Sequence, residues 1–295
     1  AGNDENYARI AIYVDNERVV DDMLDEKEKT YKVLESKSAE CRNVRIIKLS
    51  ECAMSTFGIK PVMIAEDEKI EPAPAKNIKM EFIGDSITCG YGVDDPDKEH
   101  HFKTATEDVT ALALNADYSM VSVSGYGIIS GFTNDGNKIP EQTIPQYYDK
   151  LGFSYNKFAD SITVSETEWD FERYKPDIIV INLGTNDMNY ATTDERKAEF
   201  EDGYFDFLKK VRSFNPDSYI FQTYGVMGTS LEKNIENVHR KYMSETGDER
   251  ITFIPLTMQD ENADGIVADW HPSPRTHSLV SQKVTAAIKE TLGYK

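Results

Sequence analysis

The sequence predicts an α/β fold: a doubly wound, five-stranded parallel sheet with a small antiparallel β domain at its N-terminal side. Three observations predict it. From Ile78 onward short apolar runs alternate with amphipathic stretches, the pattern of strands buried on both faces and joined by crossover helices. Before residue 72 the apolar runs are β-branched and aromatic, separated by turn residues and without a sustained helical period. Between these regions Pro72-Ala73-Pro74-Ala75-Lys76 is a stiff connector. The expected division is 1–71 for the β domain, 72–77 for the linker and 78–295 for the α/β domain.

In chain order, residues 8–14 (ARIAIYV) read as a strand, Asp15-Asn16-Glu17 as a turn, and Val19-Val20 as the start of a return strand. Further strands are expected at 30–34, 43–49 and 59–64, while the acidic stretch 21–28 reads as a solvated loop or short helix. In the second part the expected strands are 79–83, 119–123, 177–183, 218–223 and 251–254. The expected helices alternate with them. Residues 104–115 align Ala105, Val109 and Leu112, and residues 198–211 align Phe200, Tyr204, Leu208 and Val211. Thr192 with Glu195, and Thr229 with Glu232, have capping-box spacing, the second before a helix that buries Leu231, Ile235, Val238 and Tyr242. The last helix starts with Ser273 as cap and Pro274 at its first position, buries Val280, Val284 and Ile288, and stops at Gly293. Residues 126–175 are poorly periodic and follow the second strand, which places them over the rim where binding loops belong.

The chain has 295 residues, 52 acidic against 33 basic, for a formal net charge of -19. That balance argues against nucleic acid or an anionic membrane as partner, since binding to either relies on Lys and Arg releasing counterions. A neutral substrate is expected. No apolar run reaches membrane-spanning length, and residues 1–5 show neither a basic start nor an apolar signal segment. A cytoplasmic location is the expectation, or secretion if a leader has been removed. Cys41, Cys52 and Cys89 form neither a disulfide framework nor a zinc signature and are expected as free buried thiols. His100 and His101 are adjacent, His239 lies in a helical pattern, and His271 and His277 lack carboxylate or thiol company at ligand spacing. No metal and no cofactor are expected.

The chemistry is expected around Gly84-Asp85-Ser86-Ile87-Thr88. A short buried strand ending on Gly-Asp-Ser hands a hydroxyl to the mouth of the sheet, where the next helix begins and its first N–H groups are unpaired. Ser86 is the candidate nucleophile; the alternative is that Asp85 or Ser86 only caps the helix. Other polar candidates also fall at carboxyl ends of strands: Gly125 after the second, Asn186 after the third, and His271 after the fifth. His271 suits the proton-transfer role, and the N–H groups of Ser86 and Gly125 with the Asn186 amide suit an oxyanion hole. Asp85 and Asp187 read as turn and loop holders, Cys89 as a small core residue, Tyr126, Tyr190 and Tyr224 as rim packing, and Arg275 as exposed.

Gly84-Asp85-Ser86, Gly125, Gly184-Thr185-Asn186-Asp187 and Asp269-Trp270-His271-Pro272 together resemble the four sequence blocks of the SGNH (GDSL-type) hydrolases. The resemblance covers residues 78–293 and implies a flavodoxin-like sheet. With its β-rich N-terminal part and the wording GDSITCGYG over residues 84–92, the chain is most similar to carbohydrate esterase family 2. That branch joins a jelly-roll β-sandwich to the hydrolase domain and removes O-acetyl groups from xylan and related polysaccharides. Some 70 residues are few for a complete jelly roll, so an incomplete or reduced one is expected. There is no G-x-S-x-G, which disfavours an α/β-hydrolase elbow.

The resemblance implies a serine esterase acting on acetylated carbohydrate through Ser86 and His271. The family's usual acid position, three before the histidine, is Ala268 here; Asp269, two before His271, takes that role, with Asp264 as the alternative. Some members of the branch instead orient the histidine with a backbone carbonyl. Trp270 is the candidate platform for a sugar ring. The alternatives are a lipase or thioesterase of the same superfamily, and a carbohydrate-binding protein on a silent esterase scaffold.

Overall fold

The computed structural model describes residues 7–35, 40–93, 106–155, 157 and 161–294. Its first sheet begins with β1 (Arg9–Val14), which pairs antiparallel with β2 (Glu17–Met23) on one edge and β3 (Val44–Lys48) on the other. Asp15 and Asn16 close the β1–β2 hairpin with φ of 48° and 72°. Both central residues of a two-residue loop are thus left-handed, the hairpin geometry that Asp and Asn tolerate best. Ala11 and Leu49 form the small apolar core under this sheet. Leu49 N–H donates to Arg9 O (2.8 Å), so the chain stays on the sheet until it turns toward the larger part at Ser50.

Two expected strands in this region do not form. Residues 30–34 have no regular structure, and residues 59–64 run as an exposed, unpaired segment in which Met63 is 82% accessible. Pro61 lacks the N–H that a ladder needs, so the β-branched composition of the second run does not suffice.

The second sheet has five parallel strands in the order β5-β4-β6-β7-β8. They are β4 (Ile78–Gly84), β5 (Ala116–Ser122), β6 (Ile178–Asn182), β7 (Tyr219–Tyr224) and β8 (Ile251–Pro255). The doubly wound parallel sheet expected from the alternating pattern is therefore present. Alternation along β4 shows how it is covered. Met80 and Phe82 face one core with Ala111 and Leu114 near helix α2 (Thr106–Ala113) and Val284 and Ile288 of α5 (Pro274–Leu292). Ile83 faces the other core, with Phe200, Tyr204 and Leu208 of α3 (Asp194–Phe214) and Ile235, Val238 and Tyr242 of α4 (Glu232–Thr246). Each such fully buried large side chain contributes roughly 1.5–3 kcal/mol relative to exposure.

Both capping boxes are corrected. Thr193, not Thr192, caps α3 by accepting from Arg196 N–H, and α4 begins after Leu231, with Thr229 offering only its carbonyl to Glu232 N–H (3.1 Å). A threonine one residue nearer the helix reaches the first turn, so spacing alone misplaces the cap. Ser273, Pro274 and Gly293 bound α5 as expected, Ser273 Oγ accepting from Thr276 N–H and Gly293 sitting at φ 71°.

Strand order places the site. The chain goes from β4 to β5 on one side and then to β6 on the other, and such a reversal of strand order is where ligands meet the carboxyl ends of a doubly wound sheet. In register, Gly84 lies opposite both Ser122 and Asn182, so the three loops that follow start at one level.

Candidate active site

Gly84 ends β4, and the four-residue helix α1 (Ser86–Cys89) starts two residues later. A Cβ at Gly84 would lie 2.5 Å from Thr88 Cβ and 3.1 Å from Asn182 O, so only glycine lets the helix fold back this closely. Asp85 Oδ1 accepts from Ile87 N–H (3.0 Å) and caps α1. Ser86 thereby sits at the first helical position, largely buried, with His271 Nε2 2.7 Å from its Oγ. Asp85 thus does the capping, and Ser86 faces the histidine.

His271 reaches the serine from the loop before α5. Val267 N–H donates to His271 O (2.9 Å), His271 N–H donates to Ala268 O (3.0 Å), and Ile266 bridges Pro272, which closes residues 266–272 into a tight loop. Asp269 and Trp270 pass through this loop with φ of 50° and 65°, a strained conformation for two non-glycine residues. The imidazole Nδ1 faces two main-chain carbonyls, Ala268 O and Asp269 O, each at 3.1 Å. Carbonyls only accept, so Nδ1 carries the ring proton and Nε2 is left with a lone pair toward Ser86 Oγ–H.

Asp269 therefore meets His271 through its carbonyl. Its carboxylate accepts instead from the Tyr91 hydroxyl (2.8 Å). The Tyr91 ring lies against the imidazole, centroids 4.4 Å apart and planes tilted by 36°, and burial together with the Asp269 carboxylate raises its phenol pKa. Asp264 pairs with exposed Arg275 (2.7 Å) rather than with the histidine. Tyr91 belongs to the GDSITCGYG run; its position just after the short helix that Ser86 opens was the available signal.

After β5, residues 123–126 form a turn closed by Tyr126 N–H to Val123 O (3.2 Å), with Gly125 at φ 81°. A Cβ there would meet nothing within 4 Å, so positive φ rather than crowding calls for glycine, and open space lies above it. Among the described residues neither Ser86 N–H nor Gly125 N–H donates to a protein acceptor. Buried Asn186 follows β6. Its Nδ2 donates to Tyr126 O (2.8 Å) and lies 3.4 Å from Asp85 Oδ2, tying the three loops together.

Two buried carboxylates support these loops. Burial raises the Asp85 pKa to about 7, with the charge of Asp187 adding to it. Asp187 accepts from Ile128, Ile129 and Ser130 N–H (2.8–3.1 Å), and burial outweighs those bonds, raising its pKa to about 6. It holds the loop after β5 rather than the Asn186 loop itself. Trp270 is 60% exposed beside His271, with its carbonyl accepting from Gln259 Nε2 (2.6 Å). Cys89 Sγ donates to Ser122 Oγ (3.3 Å), and burial raises its thiol pKa. Tyr126 and Tyr224 are buried, and the Tyr190 hydroxyl donates to Glu199. Among the described residues no three metal-ligating side chains converge and no helix is long and apolar enough to cross a membrane; His100 and His101 lie outside the described residues.

The chain is 34% identical over 239 residues to the cellulase/esterase CelE of Acetivibrio thermocellus, an alignment covering 76% of this chain and 26% of that protein. The chain thus spans about a quarter of CelE. It is 25% identical over 295 residues to an acetylxylan esterase / glucomannan deacetylase of Cellvibrio japonicus, covering 97% of this chain and 77% of that one. The solved structure of a family two carbohydrate esterase from Clostridium thermocellum, in complex with cellohexaose, superposes with a TM-score of 0.78 at 27% identity, covering 99% of this chain and 88% of that one. The family model matches residues 82–279, well over half of the sequence and the span from β4 into α5, and the chain belongs to the GDSL-like lipase/acylhydrolase family.

Proposed function

We propose that this chain is a serine esterase that removes O-acetyl groups from carbohydrate, with residues 78–295 as its catalytic domain and 72–77 as the connector to the N-terminal part. The observation that carries the reading is the 2.7 Å contact between Ser86 Oγ and a His271 whose Nδ1 is held by carbonyls. Ser86 Oγ attacks the acetyl carbon while Nε2 takes its proton. The oxyanion accepts from Ser86 N–H, Gly125 N–H and the Asn186 Nδ2 hydrogen that is not used on Tyr126 O, drawing it from its long 3.4 Å contact with Asp85. Collapse expels the sugar alkoxide, which takes the proton from Nε2 and leaves Ser86 acetylated. Water, deprotonated by Nε2, then attacks the acetyl group; acetate leaves and Ser86 is restored. The names of the relatives support carbohydrate as the alcohol component, and exposed Trp270 offers a face for a sugar ring.

The test is a substrate panel with active-site labelling. Aryl acetate and acetylated xylan or glucomannan are cleaved, aryl octanoate is not, and a serine-directed phosphonate labels one residue per chain. Equal cleavage of octanoate points to a lipase, and an unlabelled protein to a binding module; either result overturns the proposal.

In this mechanism the Asp269 carboxylate is not the partner of His271. Asp269→Asn therefore lowers kcat on aryl acetate by about tenfold or less, against the ~10⁴ seen where a carboxylate fixes the histidine tautomer. A loss of the larger size would make the carboxylate the orienting group.

A further inference from the structure

We propose that Glu51, from the N-terminal part of the chain, is a positioning residue for the oxyanion hole: it holds Ser124 so that the next peptide presents the Gly125 N–H to the reacting carbonyl. This rests on the esterase reading above.

The geometry begins with the turn. Ser124 and Gly125 are the central residues of the turn closed by Tyr126 N–H to Val123 O, and φ 81° at the second of them is type II geometry. The central peptide of such a turn makes no bond of its own within it. Flipping that peptide interconverts type I and type II and reverses the direction of its N–H, which is the Gly125 N–H. A glycine makes the flip cheap, so an oxyanion donor at this position needs an external brace.

Glu51 supplies it. One carboxylate oxygen accepts from Ser124 N–H (2.6 Å) and the other from Ser124 Oγ–H (2.8 Å), while Gly125 O accepts from Phe132 N–H (2.8 Å). The peptide is thus held on both sides. Glu51 is 8% exposed, and both of its carboxylate oxygens are engaged by Ser124. Its own backbone is anchored: Lys48 Nζ donates to Glu51 O (2.9 Å), Cys52 Sγ to Ser122 O (3.2 Å), and Tyr155 N–H to Ala53 O (2.9 Å). Residues 48–53 therefore form a latch from the first sheet onto the rim of the second. Glu51 accepts from neither Ser86 nor His271, so it acts through Gly125 and not on the substrate.

The experiment compares Glu51→Gln, Glu51→Ala and Ser124→Ala with the parent chain on aryl acetate, and follows the rate of Ser86 labelling by a phosphonate whose oxygen occupies the same hole. Loss of one oxyanion donor costs about 10²–10³ in kcat, so Glu51→Ala should approach ~10²; Glu51→Gln keeps one acceptor and should lose about tenfold. KM stays near the parental value, and labelling slows in parallel with kcat. A folded Glu51→Ala or Glu51→Gln with parental kcat overturns the inference, as does a loss confined to KM. If Glu51→Ala does not fold, Glu51→Gln and Ser124→Ala decide, and parental kcat in both overturns it. Ser86→Ala runs alongside: a dead control with active Glu51 variants refutes the brace alone, whereas an active control refutes the esterase reading and the brace with it.

Discussion

Ser86→Ala is expected to lower kcat on aryl acetate by about 10⁶, leaving only the residual catalysis that oxyanion donors and binding provide. In the proposed mechanism the hydroxyl is the atom that forms the acyl-enzyme, and among the described residues its hydrogen bond is to His271 Nε2. Removing it takes away chemistry and no structural bond, so the thermal midpoint should not move. His271→Ala should cost a similar factor, and the double variant should be no worse than either single one, because nucleophile and base act as a unit. Steady-state rates on the three variants, with melting curves, check this. Additive losses, or an active Ser86→Ala, would assign the reaction to another group.

The largest stability effect is expected at Asp187. Its side chain is fully buried and accepts from three consecutive N–H groups of residues 128–130, and Gly127 leaves room for it, since a Cβ there would lie 2.5 Å from Asp187 Oδ2. Asp187→Ala strands those donors away from water. At about 1–3 kcal/mol for each buried unsatisfied group, the loss is about 3 kcal/mol or more. For a chain of this size that is a drop of roughly 5 °C or more in the thermal midpoint. The same loop follows Tyr126, whose carbonyl holds the Asn186 amide, so kcat should fall as well. Asp187→Asn keeps an acceptor at the Oδ1 position, which takes bonds from all three residues, and should be milder on both counts. Calorimetry of the two variants decides; a midpoint within 2 °C of the parent for Asp187→Ala would remove Asp187 as the anchor of this loop.

Elements whose cause is local are legible in the order of amino acids alone. The parallel strands announce themselves as apolar runs, the β1–β2 hairpin by Asp15-Asn16, and α5 by Ser273, Pro274 and Gly293. Residues 59–64 show the limit of composition: the run has strand-forming residues, but pairing needs a neighbour and a full set of N–H donors, and Pro61 removes one. The threonine caps fail for a related reason, since which hydroxyl meets the first turn depends on where the preceding loop delivers the chain.

For the site, amino-acid order by itself determined the candidates, because Ser86, Gly125, Asn186 and His271 each follow a strand and strand ends of a doubly wound sheet share one rim. Only the tertiary structure decided how the histidine is held and what braces the turn. The Tyr91–Asp269 contact spans 178 residues of sequence and the Glu51–Ser124 contact spans 73. Nor does sequence distinguish a carboxylate from the carbonyl of the same residue: Asp269 turns its carbonyl to His271 because the loop of residues 266–272 carries it through a left-handed conformation. Local propensity sets which residues begin and end each element; the direction in which a side chain or a carbonyl points is set by long-range packing.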